Sequence, residues 1–81
     1  MNLQKARAIG AKIREVRLLL GWRQKDLVER TRAHDPEGKG LNISTIYNWE
    51  NGYTIPNDNK LMIVCRTLGV SMGYLKGVYH A

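Results

Sequence analysis

Apolar side chains in the first twenty residues recur at three- and four-residue steps: Leu3, Ala6, Gly10, Ile13, Val16 and Leu20. That period predicts a helix over residues 3–20, stopped by Gly21. A second helix starts near Gln24, with Leu27, Val28 and Thr31 as its inner face. The period then breaks over residues 32–40, Arg-Ala-His-Asp-Pro-Glu-Gly-Lys-Gly, a run of turn formers. A third, very short helix is predicted from about Ile43 to Glu50. Asn42 is its N-cap, a residue whose side-chain oxygen accepts an orphan amide of the first turn. Leu41 and Ile46 have staple spacing, and Asn51-Gly52 supplies the stop. Residues 53–56 are extended, because Ile55 precedes Pro56. Asn57 caps a fourth helix with Leu61, Val64, Cys65 and Leu68 inward, ended by Gly69. Val70, Ser71 and Leu75 repeat the staple and cap and open a fifth. Strand alternation and hairpin dipeptides are absent from the sequence. The expected fold is a compact all-α domain of five helices containing a helix-turn-helix.

The third helix is unusual in what it turns outward. Ile46, Trp49 and part of Thr45 point one way, whereas Ile43, Ser44, Tyr47, Asn48 and Asn51 point the other. That outer face is nearly free of charge and rich in short hydrogen-bonding groups. Such a surface suits the reading of base edges in a DNA groove.

Charge supports a polyanionic partner. The net charge is +6, and its distribution is uneven. Residues 1–34 carry nine Lys and Arg against three acidic side chains, whereas residues 35–81 carry four of each. The excess therefore lies in the first half, as expected for a domain that meets nucleic acid.

The 81 residues are expected to form one domain, 1–81, with its core over 9–77. The lone Cys65 cannot form an internal disulfide, and no Cys/His cluster has metal-ligand spacing, so no metal or cofactor is expected. No acid/base pair or activated nucleophile is visible, and the chain is not expected to be an enzyme. With no signal peptide and no apolar run beyond Leu18-Leu19-Leu20, a reducing cytoplasm is the expected compartment, away from membranes. The chain is expected to be a minimal regulator or the DNA-binding part of a longer one.

Five pieces, in order, resemble the lambda-repressor-like DNA-binding family of Cro and phage-repressor type. They are Ile9-Gly10-x-x-Ile13-Arg14-x-Val16-Arg17, Gly21-Trp22-x-Gln24-x-x-Leu27, Asn42-x-Ser44-Thr45-Ile46-x-x-Trp49-Glu50-x-Gly52, Pro56-x-x-x-x-Leu61, and Leu68-Gly69-Val70-Ser71-x-x-x-Leu75. The resemblance spans roughly residues 9–77. One spacing departs from it. A helix-turn-helix has a turn of about three or four residues, and against that pattern about eight residues, Arg32 to Lys39, look inserted. Val28 also stands where the family prefers Ala. Long surface insertions add little closure entropy, so the core geometry is expected to survive. The insertion itself reads as a mobile solvated loop. The alternatives are contact with DNA phosphate through Arg32, His34 or Lys39, or contact with a partner protein.

The resemblance implies roles for particular residues. Ile43, Ser44 and Asn48 match the family's base-reading positions, with Tyr47 beside them. Asn can pair bidentately with adenine, and Ile can pack on a thymine methyl. Gln24 would hold a phosphate, flanked by Arg23 and Lys25 at the positive end of the second helix. Asn51, Tyr53 and Thr54 resemble the family's second phosphate clamp. Arg17 and Glu50 would form a structural ion pair that fixes the third helix on the first. Trp22 and Trp49 are expected core anchors, Cys65 a packed thiol, and His34 and His80 surface groups. Leu19 and Ile63 stand where the family is usually polar and are candidates for a subunit or partner surface.

The implied function is sequence-specific binding of double-stranded DNA by a transcriptional regulator of bacterial or phage type, most simply a repressor. It would act as a homodimer on a pseudo-palindromic operator with half-sites about one helical turn apart. In the family, dimer contacts usually involve the fifth helix and the segment after it, here Met72 to Tyr79. Two other readings share the fold. An antitoxin of a toxin–antitoxin pair would add a toxin-covering surface at loop 32–39 or at Leu19/Ile63. A protein-interaction adaptor would have lost DNA binding.

Overall fold

The computed structural model describes residues 3–77. Five helices follow in order: α1 (Leu3–Leu19), α2 (Gln24–Thr31), α3 (Ile43–Glu50), α4 (Asp58–Leu68) and α5 (Met72–Lys76). A single 3-10 turn, Arg32–His34, extends the end of α2. No strand occurs among the described residues. This is the all-α, five-helix arrangement that the apolar period predicts.

Side-chain oxygens set the helix starts. Asn42 accepts the N–H of Ser44 at 2.7 Å, Asn57 that of Lys60 at 2.9 Å, and Ser71 that of Tyr74 at 3.0 Å. Leu41 and Ile46 are both buried in the core, as a staple across the α3 cap requires. Beyond α3 the N–H of Gly52 returns to the carbonyl of Trp49 and that of Tyr53 to Asn48. That pair of bonds is a Schellman stop. It needs a left-handed residue, and Gly52 has φ +72°.

One core joins the elements. Ile9, Ile13 and Val16 of α1 meet Leu27 of α2, Ile46 and Trp49 of α3, Leu61, Val64, Cys65 and Leu68 of α4, and Leu75 of α5. Burial pushes the Cys65 thiol above its usual range, as for a packed, unreactive group. The buried face of α1 is Ala6, Ile9, Gly10, Ile13, Val16 and Arg17. Two expectations fail at its ends. Leu3 and Leu20, read as inward, are exposed. Leu3 opens the helix and Leu20 lies past its last residue, both beyond the reach of the helices packed on its middle. Trp22, read as a core anchor, is only half-buried: it packs against the core and carries the Arg30 guanidinium 4.5 Å from its ring centre.

α1 and α3 approach each other closely at Gly10. A Cβ on Gly10 would lie 1.8 Å from the Trp49 carbonyl oxygen. Only hydrogen fits there.

Residues 32–39, read as a mobile solvated loop, are pinned at both ends. The Thr31 hydroxyl is buried, donates to the Val28 carbonyl at 2.6 Å and accepts the Leu41 N–H at 2.9 Å. Within the loop the Asp35 carboxylate accepts the N–H groups of Glu37, Lys39 and Gly40 at 3.0, 3.1 and 2.9 Å. Those bonds, the one from Glu37 foremost, hold the Asp35 carboxyl below the usual carboxylate range. A carboxylate depressed by folding stabilises the fold above its unfolded value, about 3.9. That contribution is lost as pH falls through the lower, folded value. The Lys39 and Gly40 amides are therefore expected to show hydrogen-exchange protection near neutral pH and to lose it in acid. Asp35→Ala should lose it at every pH. Protection unchanged in that variant would show that other contacts order the loop.

Candidate DNA-binding surface

α3 is eight residues long, about 12 Å at 1.5 Å per residue, and its outer face is free. Ile43, Ser44, Tyr47 and Asn51 are exposed, and Asn48 is half-buried. With Gln24 from the start of α2, the side chains of Ile43, Ser44, Tyr47 and Asn48 line one shallow groove. All four residues read as base-reading thus share one surface with Gln24.

Groups suited to phosphate flank α3. At one side lies the first turn of α2, whose leading amides have no helical acceptor. Arg23 and Lys25 are exposed there. Arg23 is not idle. Its side chain pairs with Asp26 at 3.2 Å, and Asp26 also accepts the Arg23 N–H at 2.8 Å. The Arg23 side chain is the leading cause that holds the Asp26 carboxyl below its usual range. To reach DNA, Arg23 must share or leave that carboxylate. Asp26→Asn keeps an acceptor for the amide and removes the charge. It is expected to strengthen binding to every duplex and to steepen the salt dependence by about 0.9 per added phosphate contact. Equal affinity and slope would exclude Arg23 from the contact.

Just past α3, Tyr53 and Thr54 are exposed, and the Tyr53 ring meets Tyr47 edge-on with centroids 6.3 Å apart. Asn51 acts locally, since its amide donates to the Tyr47 carbonyl at 2.8 Å and closes the helix end. Two arginines of α1 were missed by sequence reasoning. Arg14 lines a polar cleft with Arg17, Gln24, Glu50 and Asn51. The backbone and side chain of Arg7 lie against Gly52. Both arginines are exposed, and the seven-residue step between them on α1 places them along one face. That step was the available signal.

Beneath the surface, Arg17 and Glu50 form a two-pronged pair, Nε to Oε2 at 2.7 Å and Nη2 to Oε1 at 2.8 Å. Their side chains are 8% and 2% exposed. Nη1 of Arg17 also donates to the Trp22 carbonyl at 2.7 Å, and Nε2 of Gln24 donates to Glu50 Oε1 at 3.2 Å. A single carboxylate thus ties the end of α3 to α1, and Gln24 to both. Gln24 is aimed by this contact while keeping its carbonyl oxygen and one N–H uncommitted by it.

Among the described residues no group of His, Cys, Asp and Glu is placed to hold a metal ion. No helix among them is long and apolar enough to cross a membrane. His34 is exposed, whereas His80 lies outside the described residues.

Residues 37–75 match the helix-turn-helix family model. That model describes the lambda-repressor-like helix-turn-helix of Cro/C1 type, a DNA-binding regulatory family. The match starts inside the 32–39 segment and takes in α3, α4 and α5 as far as Leu75. No curated protein and no solved structure matches the chain.

Proposed function

We propose that this chain is a single DNA-binding domain that reads the major groove with α3 and acts as a transcriptional repressor of bacterial or phage type. The observation that carries the reading is the outer face of α3. Its Ile43, Ser44, Tyr47 and Asn48 form a surface with little charge, lined also by the Gln24 amide, with Arg23 and Lys25 exposed on either side of Gln24 in sequence. A B-DNA major groove is about 12 Å wide and admits one helix. Arg23, Gln24 and Lys25 then face one phosphate rail, and Asn51, Tyr53 and Thr54 the other, with Arg7 and Arg14 near the second. Such contacts set register, and the face between them sets sequence.

One module of this size buries too little surface to bind tightly alone. A homodimer on a pseudo-palindrome, with half-sites about 10 base pairs apart, follows from that shortage. The segment Met72 to Tyr79 is the expected dimer region. Met72 and Tyr74 in it pack against the core, and Val78 and Tyr79 lie outside the described residues.

Selection from a random duplex pool is expected to return a symmetric site. On that site Asn48→Ala should cost about 1–3 kcal/mol and relax preference at one base pair, whereas Lys25→Ala should weaken all duplexes alike and lower the salt slope by about one. Unchanged preference in the Asn48 variant would remove it from the readers.

A further inference from the structure

The outer face of α3 has two rows. Ile43 and Tyr47, four residues apart, form one, and Ser44 and Asn48 form the other. Both rows line the groove they share with Gln24. The second row offers a hydroxyl and an amide, which match the donors and acceptors of base edges. The first row is apolar at Ile43 and, but for its hydroxyl, at Tyr47. The two remain 48% and 49% exposed.

The segment after α3 turns back onto that first row. Gly52, at φ +72°, reverses the chain, so that the Tyr53 N–H bonds the Asn48 carbonyl at 2.9 Å. The Asn51 amide donates to the Tyr47 carbonyl at 2.8 Å. The Tyr53 ring then meets the Tyr47 ring with centroids 6.3 Å apart and planes at 64°, an attractive edge-to-face arrangement. Tyr53 is not among the residues that line the groove. Its ring is placed against Tyr47 rather than against an incoming base.

We propose that Tyr53 is a positioning residue, and that the Tyr47 ring it holds reads, with Ile43, the C5-methyl group of a thymine. The proposal rests on the reading of α3 as the major-groove helix. In that groove the thymine methyl is the apolar group that a base pair presents. An apolar row beside a hydrogen-bonding row therefore selects a thymine. A lone exposed tyrosine moves among rotamers and loses that freedom on binding. The edge contact restricts the Tyr47 ring beforehand, so the methyl meets a surface already in place. The Tyr53 hydroxyl is left for a phosphate rail. Ring and hydroxyl then have separate duties, one in sequence and one in register.

The test uses the whole chain and the duplex selected from the random pool. Deoxyuridine replaces thymine one position at a time, which removes the methyl and keeps the base pairing. At one thymine of the half-site the parent chain should bind about fourfold more weakly, the worth of one buried methyl group. Tyr53→Phe keeps the ring, so the fourfold penalty should remain while all duplexes weaken alike. Tyr53→Ala and Tyr47→Ala should bind the two duplexes within about twofold of each other. Melting curves of the variants are taken alongside. The deoxyuridine series on the parent stands whatever a variant does to folding. A parent that prefers a sequence, yet binds deoxyuridine as well as thymine at every position, would overturn this proposal and leave the reading of α3 standing. A parent with no sequence preference would overturn that reading, and this proposal with it. A penalty that survives in Tyr53→Ala, or that disappears in Tyr53→Phe, would remove the Tyr53 ring from the positioning role.

Discussion

Gly10→Ala is expected to cost this domain a large part of its stability. The added Cβ would sit 1.8 Å from the Trp49 carbonyl oxygen, 2.8 Å from its carbon and 3.1 Å from the Glu50 Cα. These are backbone atoms of a packed helix, so no side chain can swing away. α1 and α3 must part by more than about 1 Å to restore ordinary contact. That movement opens the core at Ile9, Ile13 and Trp49 and stretches the Arg17–Glu50 bonds. Overpacking of a core usually costs about 1–3 kcal/mol and sometimes more. Here backbone meets backbone, and the upper end or beyond is expected. The gain in helix propensity, about 1 kcal/mol for Gly to Ala, offsets only part of it. With about 4–8 °C in Tm per kcal/mol for a domain of this size, thermal melting followed at 222 nm should drop by well over 10 °C. Ala11→Gly, at the exposed neighbouring position of the same helix, serves as the control and should lose only the propensity difference of about 1 kcal/mol. A Gly10→Ala melt within a few degrees of the parent chain would mean that α1 and α3 are docked less tightly than their closest approach implies.

Gly10 also shows where sequence stopped short. It was legible as a place in the apolar period of α1, because a glycine and an alanine occupy an inward position equally well. Why nothing larger is allowed depends on a carbonyl thirty-nine positions later, and no local pattern carries that. Helix starts were legible for the opposite reason. The cap residues Asn42, Asn57 and Ser71 bond amides two or three residues away, so the signal and its consequence lie in one short window. The outer face of α3 was legible for the same reason of locality. The arginines Arg7 and Arg14 were visible as charges, but their nearness to Gly52 and Asn51 is a product of packing. The inserted segment reads in sequence as a mobile solvated loop. Its order comes from one aspartate that serves three amides and one buried threonine hydroxyl, neither of which stands out among ordinary loop residues. Leu3 and Leu20 erred in the other direction: the period continued, and the helices that would cover them did not.

Glu50→Ala is expected to have the second large effect, on two quantities at once. The substitution leaves Arg17 buried, with the Trp22 carbonyl as its remaining hydrogen-bond partner among the described residues. Breaking one side of a buried pair costs about 3–5 kcal/mol. A domain of this length has a total stability of about 4–12 kcal/mol, at 0.05–0.15 per residue, so a large fraction of the chain could unfold at 37 °C. The double variant Arg17→Met, Glu50→Met separates stability from positioning. It replaces both charges by apolar groups of similar length, a change that is often neutral or stabilising in a buried site, and its melting curve should recover most of the loss. DNA affinity should not recover with it. Gln24 loses the acceptor 3.2 Å away that aims it, and its side chain becomes free to rotate away from the groove it shares with Ser44 and Asn48. Denaturant melts and duplex titrations on the parent, Arg17→Met, Glu50→Met and the double variant give the full cycle. If the double variant binds duplex as tightly as the parent, the carboxylate serves folding alone. If its melt stays as low as that of Glu50→Ala, lost packing rather than an orphaned charge explains the single variant.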